Sequence, residues 1–297
     1  MAPPRLLAIS DLHVRHKANM AAIERIGDHP DDWLILAGDV CERPDDLARV
    51  LDTLGPRFAQ LLWVPGNHEL WATKKETLRG VAKYDALVEL CRARGVLTPE
   101  DPYAVFPFPT GPVRIALLFL LYDYTFAPAG MDKGAALGWA AEAGIVCLDE
   151  VRLDPAPHPS REAWAAARMD DAEARLDAEH PELPTVLVNH WPLRFDLVRI
   201  PRVPRFAPWC GSLRTEDWHL RFNARVVVSG HLHVRATDWR DGVRFEEVSL
   251  GYPRHWDPDV PVDEWLRPIL PGPAPPPMVE PPPKWHRLGG PRRRRGR

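Results

Sequence analysis

Short apolar runs alternate with amphipathic stretches along most of this 297-residue chain. Apolar runs bounded by polar or turn-forming residues are typical of buried strands, whereas apolar positions three and four residues apart indicate helices. The runs that predict strands lie at residues 6–9, 33–37, 61–64, 113–121, 185–188, 226–228, 234–239 and 243–248. The stretches that predict helices lie at residues 45–54, 78–93 and 160–178. Strands that alternate with helices predict an α/β fold.

The pattern changes after about residue 266, where proline becomes frequent. Ten prolines fall between Pro268 and Pro291, and an arginine cluster over residues 292–295 follows. Proline lacks a backbone N–H donor and fixes φ, so such a segment favours extended over packed chain. We therefore predict one domain over residues 1–266 and a disordered Pro/Arg-rich tail over residues 267–297. The arginine cluster is compatible with nucleic acid or acidic proteins, but runs of like charge are commonly solvated, so we expect no nucleic-acid partner.

Polar residues directly follow five of the predicted strands. In α/β sheets the loops at the carboxyl ends of strands converge on one crevice, so these residues are expected to form one shared site. The blocks are Asp11 to His13, Gly38 and Asp39, Gly66 to Glu69, Asn189 and His190, and Gly230 to His233.

The side chains in these blocks are typical metal ligands. Carboxylate and amide oxygens together with imidazole nitrogens suit Mn, Fe or Zn. No cysteine belongs to the set, which argues against a structural zinc cluster. Gly38, Gly66 and Gly230 each precede a candidate ligand, where a missing side chain allows the backbone to approach the site closely.

Composition and charge add little to this interpretation. The chain has 45% hydrophobic and 27% charged residues and a net charge of −3, which selects no partner. Four cysteines without a CxxC pair predict free thiols in a reducing compartment. The strand pattern from residue 5 leaves no room for a signal peptide, and the apolar run 115–121 is too short to span a bilayer. We therefore expect a cytoplasmic protein without a membrane partner.

The five blocks, in their order, resemble the calcineurin-like metallophosphoesterase superfamily. Its pattern D-x-H, G-D, G-N-H, H and G-H-x-H is matched between residues 9 and 233. The resemblance implies a four-layer αββα sandwich, in which helices cover two mixed sheets. It also implies two transition-metal ions, Mn or Fe with Zn as the alternative.

The resemblance assigns a role to each candidate residue. The first metal would be held by Asp11, His13, Asp39 and His233. Asp39 would bridge to the second metal, which Asn67, His190 and His231 complete. Two such cations bind a hydroxide for in-line attack on a phosphate. His68 resembles the family's non-ligand catalytic imidazole, which protonates the leaving oxygen or stabilises the developing charge.

Further segments are similar to a narrower bacterial group, the 4′-phosphopantetheinyl hydrolases. These enzymes cleave the phosphodiester on the serine of an acyl carrier protein and release phosphopantetheine. The resemblance therefore implies a phosphodiesterase whose partner is a holo acyl carrier protein. Trp191, where phenylalanine is expected, departs from the pattern. The similar segments are residues 31–35, 66–71, 119–124, 209–211, 242–248 and 251–254.

The connection between residues 190 and 225 carries seven arginines but three acidic residues, with aromatic residues interleaved among them. Acyl carrier proteins are acidic, so a basic and aromatic surface near the site would suit their docking. The alternative is that the aromatic residues belong to the core and the arginines are ordinary surface residues. The aromatic residues include Trp191, Phe195, Phe206, Trp209 and Trp218.

Three other functions remain open on the sequence. A phosphodiesterase or phosphatase for nucleotides or cyclic nucleotides would need aromatic side chains that stack on a base. A non-catalytic scaffold would use the same fold to bind partners without turnover. Nucleic-acid processing would depend on the arginine-rich tail and on salt concentration.

Overall fold

The computed structural model describes residues 3–73 and 75–275. Within these residues the strands are β1 (Leu6–Ile9), β2 (His29–Ala37), β3 (Phe58–Val64), β4 (Ala104–Phe106), β5 (Val113–Leu117), β6 (Thr185–Val188), β7 (Ala224–Ser229), β8 (Ala236–Arg240), β9 (Val243–Glu247) and β10 (Arg267–Leu270). The α-helices are α1 (Lys17–Ile23), α2 (Pro44–Leu54), α3 (Asn67–Leu70), α4 (Gly80–Arg92), α5 (Lys133–Glu142), α6 (Asp149–Arg152), α7 (Arg161–Ala178) and α8 (Trp218–Arg221).

The strands form two mixed sheets. A four-stranded sheet has the order β10-β1-β2-β3, with β10 antiparallel to β1 and the other pairs parallel. A six-stranded sheet has the order β4-β5-β6-β7-β9-β8, with antiparallel pairs only at its two edges. A parallel bridge between Ser10 and Ser249 joins the sheets just beyond β1 and β9. The carboxyl ends of the strands that precede the candidate residues therefore meet at one edge.

Alternate side chains of each strand face opposite layers. Leu6 and Ala8 belong to an apolar layer that also contains residues of β5, β6 and β7, so this layer lies between the sheets. Leu7 and Ile9 belong to a second apolar cluster that includes residues of the covering helices. This period of two is what a strand buried on both faces produces.

Helices cover the outer faces of the sheets, so the fold is the expected four-layer α/β arrangement. The predicted helix 160–178 is present as α7, and the Ser160 side chain accepts a hydrogen bond from Ala163 N at 3.2 Å as its N-cap. The predicted helices 45–54 and 78–93 correspond to α2 and α4. Five helices were not predicted, because their sequences carry weak apolar periodicity. One is α1, and the other four are short or rich in alanine. They are α3, α5, α6 and α8.

The predicted strand 113–121 is too long. Strand β5 ends at Leu117, although residues 118–121 remain buried. The side chain of Asn189 binds this segment instead, accepting from Leu120 N at 2.9 Å and donating to Leu120 O at 3.3 Å. The apolar character of the segment predicted that it is buried. It did not distinguish a strand from an extended loop whose backbone groups form hydrogen bonds with a side chain.

The predicted domain boundary at residue 266 is also misplaced. Arg267–Leu270 form β10, which pairs with β1 and buries Ile269 and Leu270. Pro268 is tolerated because β10 is an edge strand, where one backbone donor is not needed for pairing. Of the predicted disordered tail, residues 276–297 lie outside the described part of the chain.

All four cysteines are free, as the sequence predicted, and all four are buried. Across residues 3–73 and 75–275, no helix combines the length and the apolar character needed to cross a membrane.

Candidate metal centre

The backbone at the strand ends adopts an uncommon conformation at five candidate residues. Left-handed φ values are rare for residues other than glycine and cost roughly 1–3 kcal/mol each. Such conformations persist only where surrounding contacts stabilise them. Here these backbone conformations direct the five side chains toward the same region. The φ angles are 54° at Asp11, 42° at His13, 52° at Asp39, 72° at His231 and 53° at His233.

Asp11 is fully buried and bound on both carboxylate oxygens. Its Oδ2 accepts hydrogen bonds from Ser10 Oγ at 2.6 Å, Ser249 Oγ at 2.7 Å and His231 N at 3.1 Å. Its Oδ1 lies 2.9 Å from His233 Nε2. Burial acts to raise the pKa of Asp11, but the charge and hydrogen bond of His233 outweigh it and lower the pKa. The carboxylate is therefore ionised and fixed in orientation.

Three groups of side chains could each hold an ion, and they share members. Within each group the candidate ligand atoms lie within 4.8 Å of one another. His13 and Asp39 each belong to two of the groups. The groups are Asp11, His13 and His233; His13, Asp39 and His68; and Asp39, His190 and His231.

The imidazole of His190 is oriented from behind by the backbone. Its Nδ1 lies 2.9 Å from Ala37 O, and because a carbonyl only accepts, Nδ1 carries the proton. Nε2 then faces Asp39 Oδ2 at 3.4 Å. Burial acts to lower the pKa of His190, but the charge of Asp39 raises it to about 10. A cation held between these two atoms would compete with that second proton.

Several shielded ligand atoms have no hydrogen-bond partner within the described residues. They include Asn67 Oδ1, His190 Nε2 and His231 Nε2. Buried polar atoms are nearly always bonded, so atoms left without a partner at one site fit a bound ion. Burial, together with the nearby His190, also lowers the pKa of His231 to about 3, so this ring is neutral and has a lone pair to donate. The donor set thus fits transition-metal ions.

Close approach of the backbone requires glycine at two positions. A Cβ atom on Gly66 would lie 2.1 Å from Asp39 Oδ1, and one on Gly230 would lie 2.4 Å from Asp11 Oδ2. Neither contact is possible for a real side chain. The glycines singled out in the sequence are therefore needed for the packing of the carboxylates.

Asn67 is oriented by Asp149, a residue that sequence reasoning missed. Asp149 Oδ1 accepts from Asn67 Nδ2 at 3.0 Å and from Trp71 Nε1 at 2.6 Å. Since the amide nitrogen of Asn67 is held in this way, its oxygen faces the centre. Asp149 lies in the four-residue helix α6, 82 positions along the chain from Asn67, so no local pattern connects the two.

Glu69 joins the loop after β2 to the loop after β3. Its carboxylate accepts from Asp39 N at 3.0 Å, Cys41 N at 3.0 Å and Gly66 N at 2.7 Å. Burial and the charge of Asp39 raise the pKa of Glu69 to about 7. Glu69 lay in a block that the sequence singled out, but its part in fixing these loops is visible only in three dimensions.

His68 lies at the mouth of the site rather than inside it. Its side chain is 12% exposed, its Nε2 is 3.8 Å from Asp39 Oδ2, and its Nδ1 is 3.7 Å from Glu42 Oε1. Its ring packs 3.7 Å from the Trp71 ring. Burial acts to lower the pKa of His68, but the neighbouring Asp39 and Glu42 raise it. The ring is thus placed to hold a proton beside the cleft.

Two of the spaces that adjoin the centre lie against His231 and His233. A cleft of about 240 Å³ lies directly over Asp39, Asn67, His68, His231 and His233. A larger cavity of about 560 Å³ begins at His231 and His233 and extends away from them. The cleft has room for a phosphate, and the cavity has room for a substituent of that phosphate.

The connection 190–225 is not the basic aromatic surface that the sequence suggested. Trp191, Trp209 and Trp218 are fully buried and belong to the core. Most of the arginines are paired with acidic residues of the same chain, so their charge is largely neutralised. Pairs join Arg194 to Asp196, Arg199 to Asp238, Arg205 to Glu142, Arg214 to Glu173 and Arg221 to Glu173.

Comparison with known proteins agrees with this geometry. A family model described as calcineurin-like phosphoesterase matches residues 4–235. The [acyl-carrier-protein] phosphodiesterase PptH of Mycobacterium tuberculosis is 48% identical over 276 residues, which cover 92% of this chain and 85% of that protein.

Solved structures give the same result for the fold. The crystal structure of phosphopantetheinyl hydrolase (PptH) from M. tuberculosis has a TM-score of 0.86 at 48% identity, covering 92% of this chain and 99% of that one. A dimetal phosphatase from Danio rerio has a TM-score of 0.41 at 13% identity, covering 85% and 88%, a similarity too low to support any inference.

Proposed function

Since this chain belongs to the calcineurin-like phosphoesterase family, we propose that it is a metal-dependent phosphodiesterase that removes 4′-phosphopantetheine from a holo acyl carrier protein. The observation that carries the substrate assignment is the 48% identity, over nearly the whole chain, to a relative named as an acyl-carrier-protein phosphodiesterase. The reaction hydrolyses the ester bond between the carrier serine and phosphorus, and yields apo carrier protein and phosphopantetheine. We assign it to the cytoplasm, where carrier proteins act and thiols stay reduced.

The metal ligands in this proposal are those that the sequence suggested. Mn or Fe, with Zn as the alternative, fits the mixed oxygen and nitrogen donors. When bound, two such ions supply positive charge for the phosphate and lower the pKa of water. The assigned residues are Asp11, His13, Asp39 and His233 for one ion, and Asp39, Asn67, His190 and His231 for the other.

His68 is the proposed proton donor. The leaving group is a serine oxygen, whose departure as an alkoxide is unfavourable unless it is protonated. His68 holds a proton at the edge of the cleft that would contain the phosphate, and the nearby Glu42 carboxylate favours the charged ring. Protonation of the serine oxygen by His68 therefore completes the cleavage.

The test uses the full chain loaded with Mn and a purified holo carrier protein. We expect mass spectrometry to show that the carrier loses one phosphopantetheinyl group. Bis(p-nitrophenyl) phosphate serves as an artificial diester in parallel. An unchanged carrier mass, under conditions where the artificial diester is cleaved, would contradict the carrier-protein assignment.

A matched pair of variants distinguishes a metal-dependent enzyme from a non-catalytic scaffold. Asp39→Asn should lose both bound metal and turnover, whereas Asp177→Asn, at an exposed position near the C-terminal end of α7, should keep both. Metal content by inductively coupled plasma mass spectrometry identifies the ions. Wild-type protein that retains no transition metal would favour the non-catalytic scaffold.

A further inference from the structure

The larger cavity beside the candidate metal centre has the dimensions of a small-molecule site. Its volume is about 560 Å³, and its walls include His231 and His233, the segment 199–203, Phe206 and the segment 252–255. It therefore begins where the phosphate would lie and leads away from it. Ligand sites commonly measure about 300–1,000 Å³, a space that a flexible chain can enter but a folded domain cannot.

The cavity walls combine exposed apolar side chains with a hydrogen-bond donor that is not engaged in an ion pair. Val203 is 39% exposed and Val234 is 36% exposed, although both are apolar. Exposed apolar side chains clustered at a concave surface indicate that a ligand covers them. Arg199 is paired with Asp238, whereas Arg202 forms no ion pair with any residue of the described chain.

The aromatic side chains of the cavity are already engaged by other residues. The Tyr252 ring stacks on the His13 ring with centroids 4.6 Å apart, and the Arg254 guanidinium lies 5.0 Å from the Tyr252 centroid. The Phe206 ring packs against His231, with centroids 6.0 Å apart. A nucleotide base binds best to a free aromatic face. The cavity thus favours a flexible ligand over a base.

We propose that this cavity binds the pantetheine arm of the substrate, an inference that rests on the function proposed above. The arm is uncharged and contains methylene groups, a geminal dimethyl group, two amides and a terminal thiol. Val203, Val234 and Ile200 provide apolar contact for its hydrocarbon groups. Arg202 provides a donor for an amide oxygen. The carrier protein, attached through the other ester oxygen, stays outside the cavity.

Filling the cavity tests this assignment. Val203→Trp and Ile200→Trp place a large side chain in the space that the arm would occupy. We expect kcat/KM for holo carrier protein, divided by kcat/KM for bis(p-nitrophenyl) phosphate, to fall by at least about 10-fold, a typical effect of altered pocket fit. The artificial diester lacks the arm, and its turnover by each variant also reports that the protein is folded.

Leu220→Trp is the matched control, because Leu220 is 57% exposed on α8 and does not line the cavity. This variant should keep the wild-type ratio. A wild-type ratio in both cavity variants would overturn the arm-binding assignment. Failure of the proposed function would appear differently, as wild-type enzyme that cleaves the artificial diester but leaves the carrier protein unchanged.

Discussion

Three of the side chains that face the candidate centre are held by other residues behind them. Ala37 O orients His190, Asp149 orients Asn67, and Ser10 with Ser249 fixes Asp11. Such supporting contacts restrict the rotamers of a ligand before an ion binds, so that less conformational entropy is lost on binding. Substitutions of these supporting residues are therefore expected to weaken metal binding, although every ligand is kept.

Asp149→Ala is the clearest test of such support. It leaves Asn67 Nδ2 and Trp71 Nε1 without their acceptor, so the Asn67 oxygen loses its orientation. We expect metal affinity to weaken by about 10–100-fold. Metal content after titration with a chelator measures this. Asp149→Asn keeps an oxygen acceptor and should restore most of the affinity; equal loss in both variants would contradict the orienting role.

The loss of turnover in the variant His68→Asn should depend on the leaving group of the substrate. We expect kcat for holo carrier protein to fall by about 10²–10⁴-fold, because a serine oxygen needs a proton to leave. The loss with bis(p-nitrophenyl) phosphate should be much smaller, because p-nitrophenolate is a good leaving group. Steady-state kinetics with both substrates measures the difference.

The metal content of the variant His68→Asn distinguishes a proton-donating role of His68 from a role as a metal ligand. His68 lies close enough to His13 and Asp39 to share an ion with them, so the variant's metal content must be measured alongside its kinetics. Loss of an ion, or an equal loss of kcat with both substrates, would contradict proton donation. His180→Asn, an exposed position, is the control and should match wild type.

At the scale of secondary structure, the strands that precede the site were predicted well, whereas the edge strands β4 and β10 were not. The last four residues of β1, β2 and β3 are buried, so each strand ends in a continuous apolar run that polar residues follow. Strand β10 has the sequence RPIL, and its edge position depends on pairing with a strand more than 250 residues earlier. No local pattern records that pairing.

Strand β10 gives a prediction about the end of the folded domain. A chain that stops at Leu266 loses the pairing with β1 and the buried side chains of Ile269 and Leu270. Burial of such a side chain contributes about 1.5–3 kcal/mol, so the free energy of unfolding should fall by several kcal/mol. A chain that stops at Pro275 retains these contacts and should unfold like the full chain. Urea denaturation compares the three, and equal stability of both truncated chains would contradict the role of β10.

At the scale of the whole molecule, the candidate centre joins the two sheets. Asp11, His13, Asp39 and Asn67 follow strands of the four-stranded sheet, whereas His190, His231 and His233 follow strands of the six-stranded sheet. The candidate ligands could be proposed from the sequence because each block follows the end of a strand. The supporting residue Asp149 was not, because it reaches the site through the packing of elements that are distant in the chain.

This arrangement predicts that metal ions stabilise the contact between the sheets. An ion that binds only the folded state adds about 4 kcal/mol when its free concentration is about 1,000 times its dissociation constant. Addition of a chelator should therefore lower the midpoint of thermal unfolding, and Mn should restore it. Asp39→Asn, which lacks the bridging carboxylate, should show a much smaller shift. If chelation removes the ions but the midpoint stays the same, the ions do not contribute to the stability of the folded chain, and the centre then serves the chemistry alone.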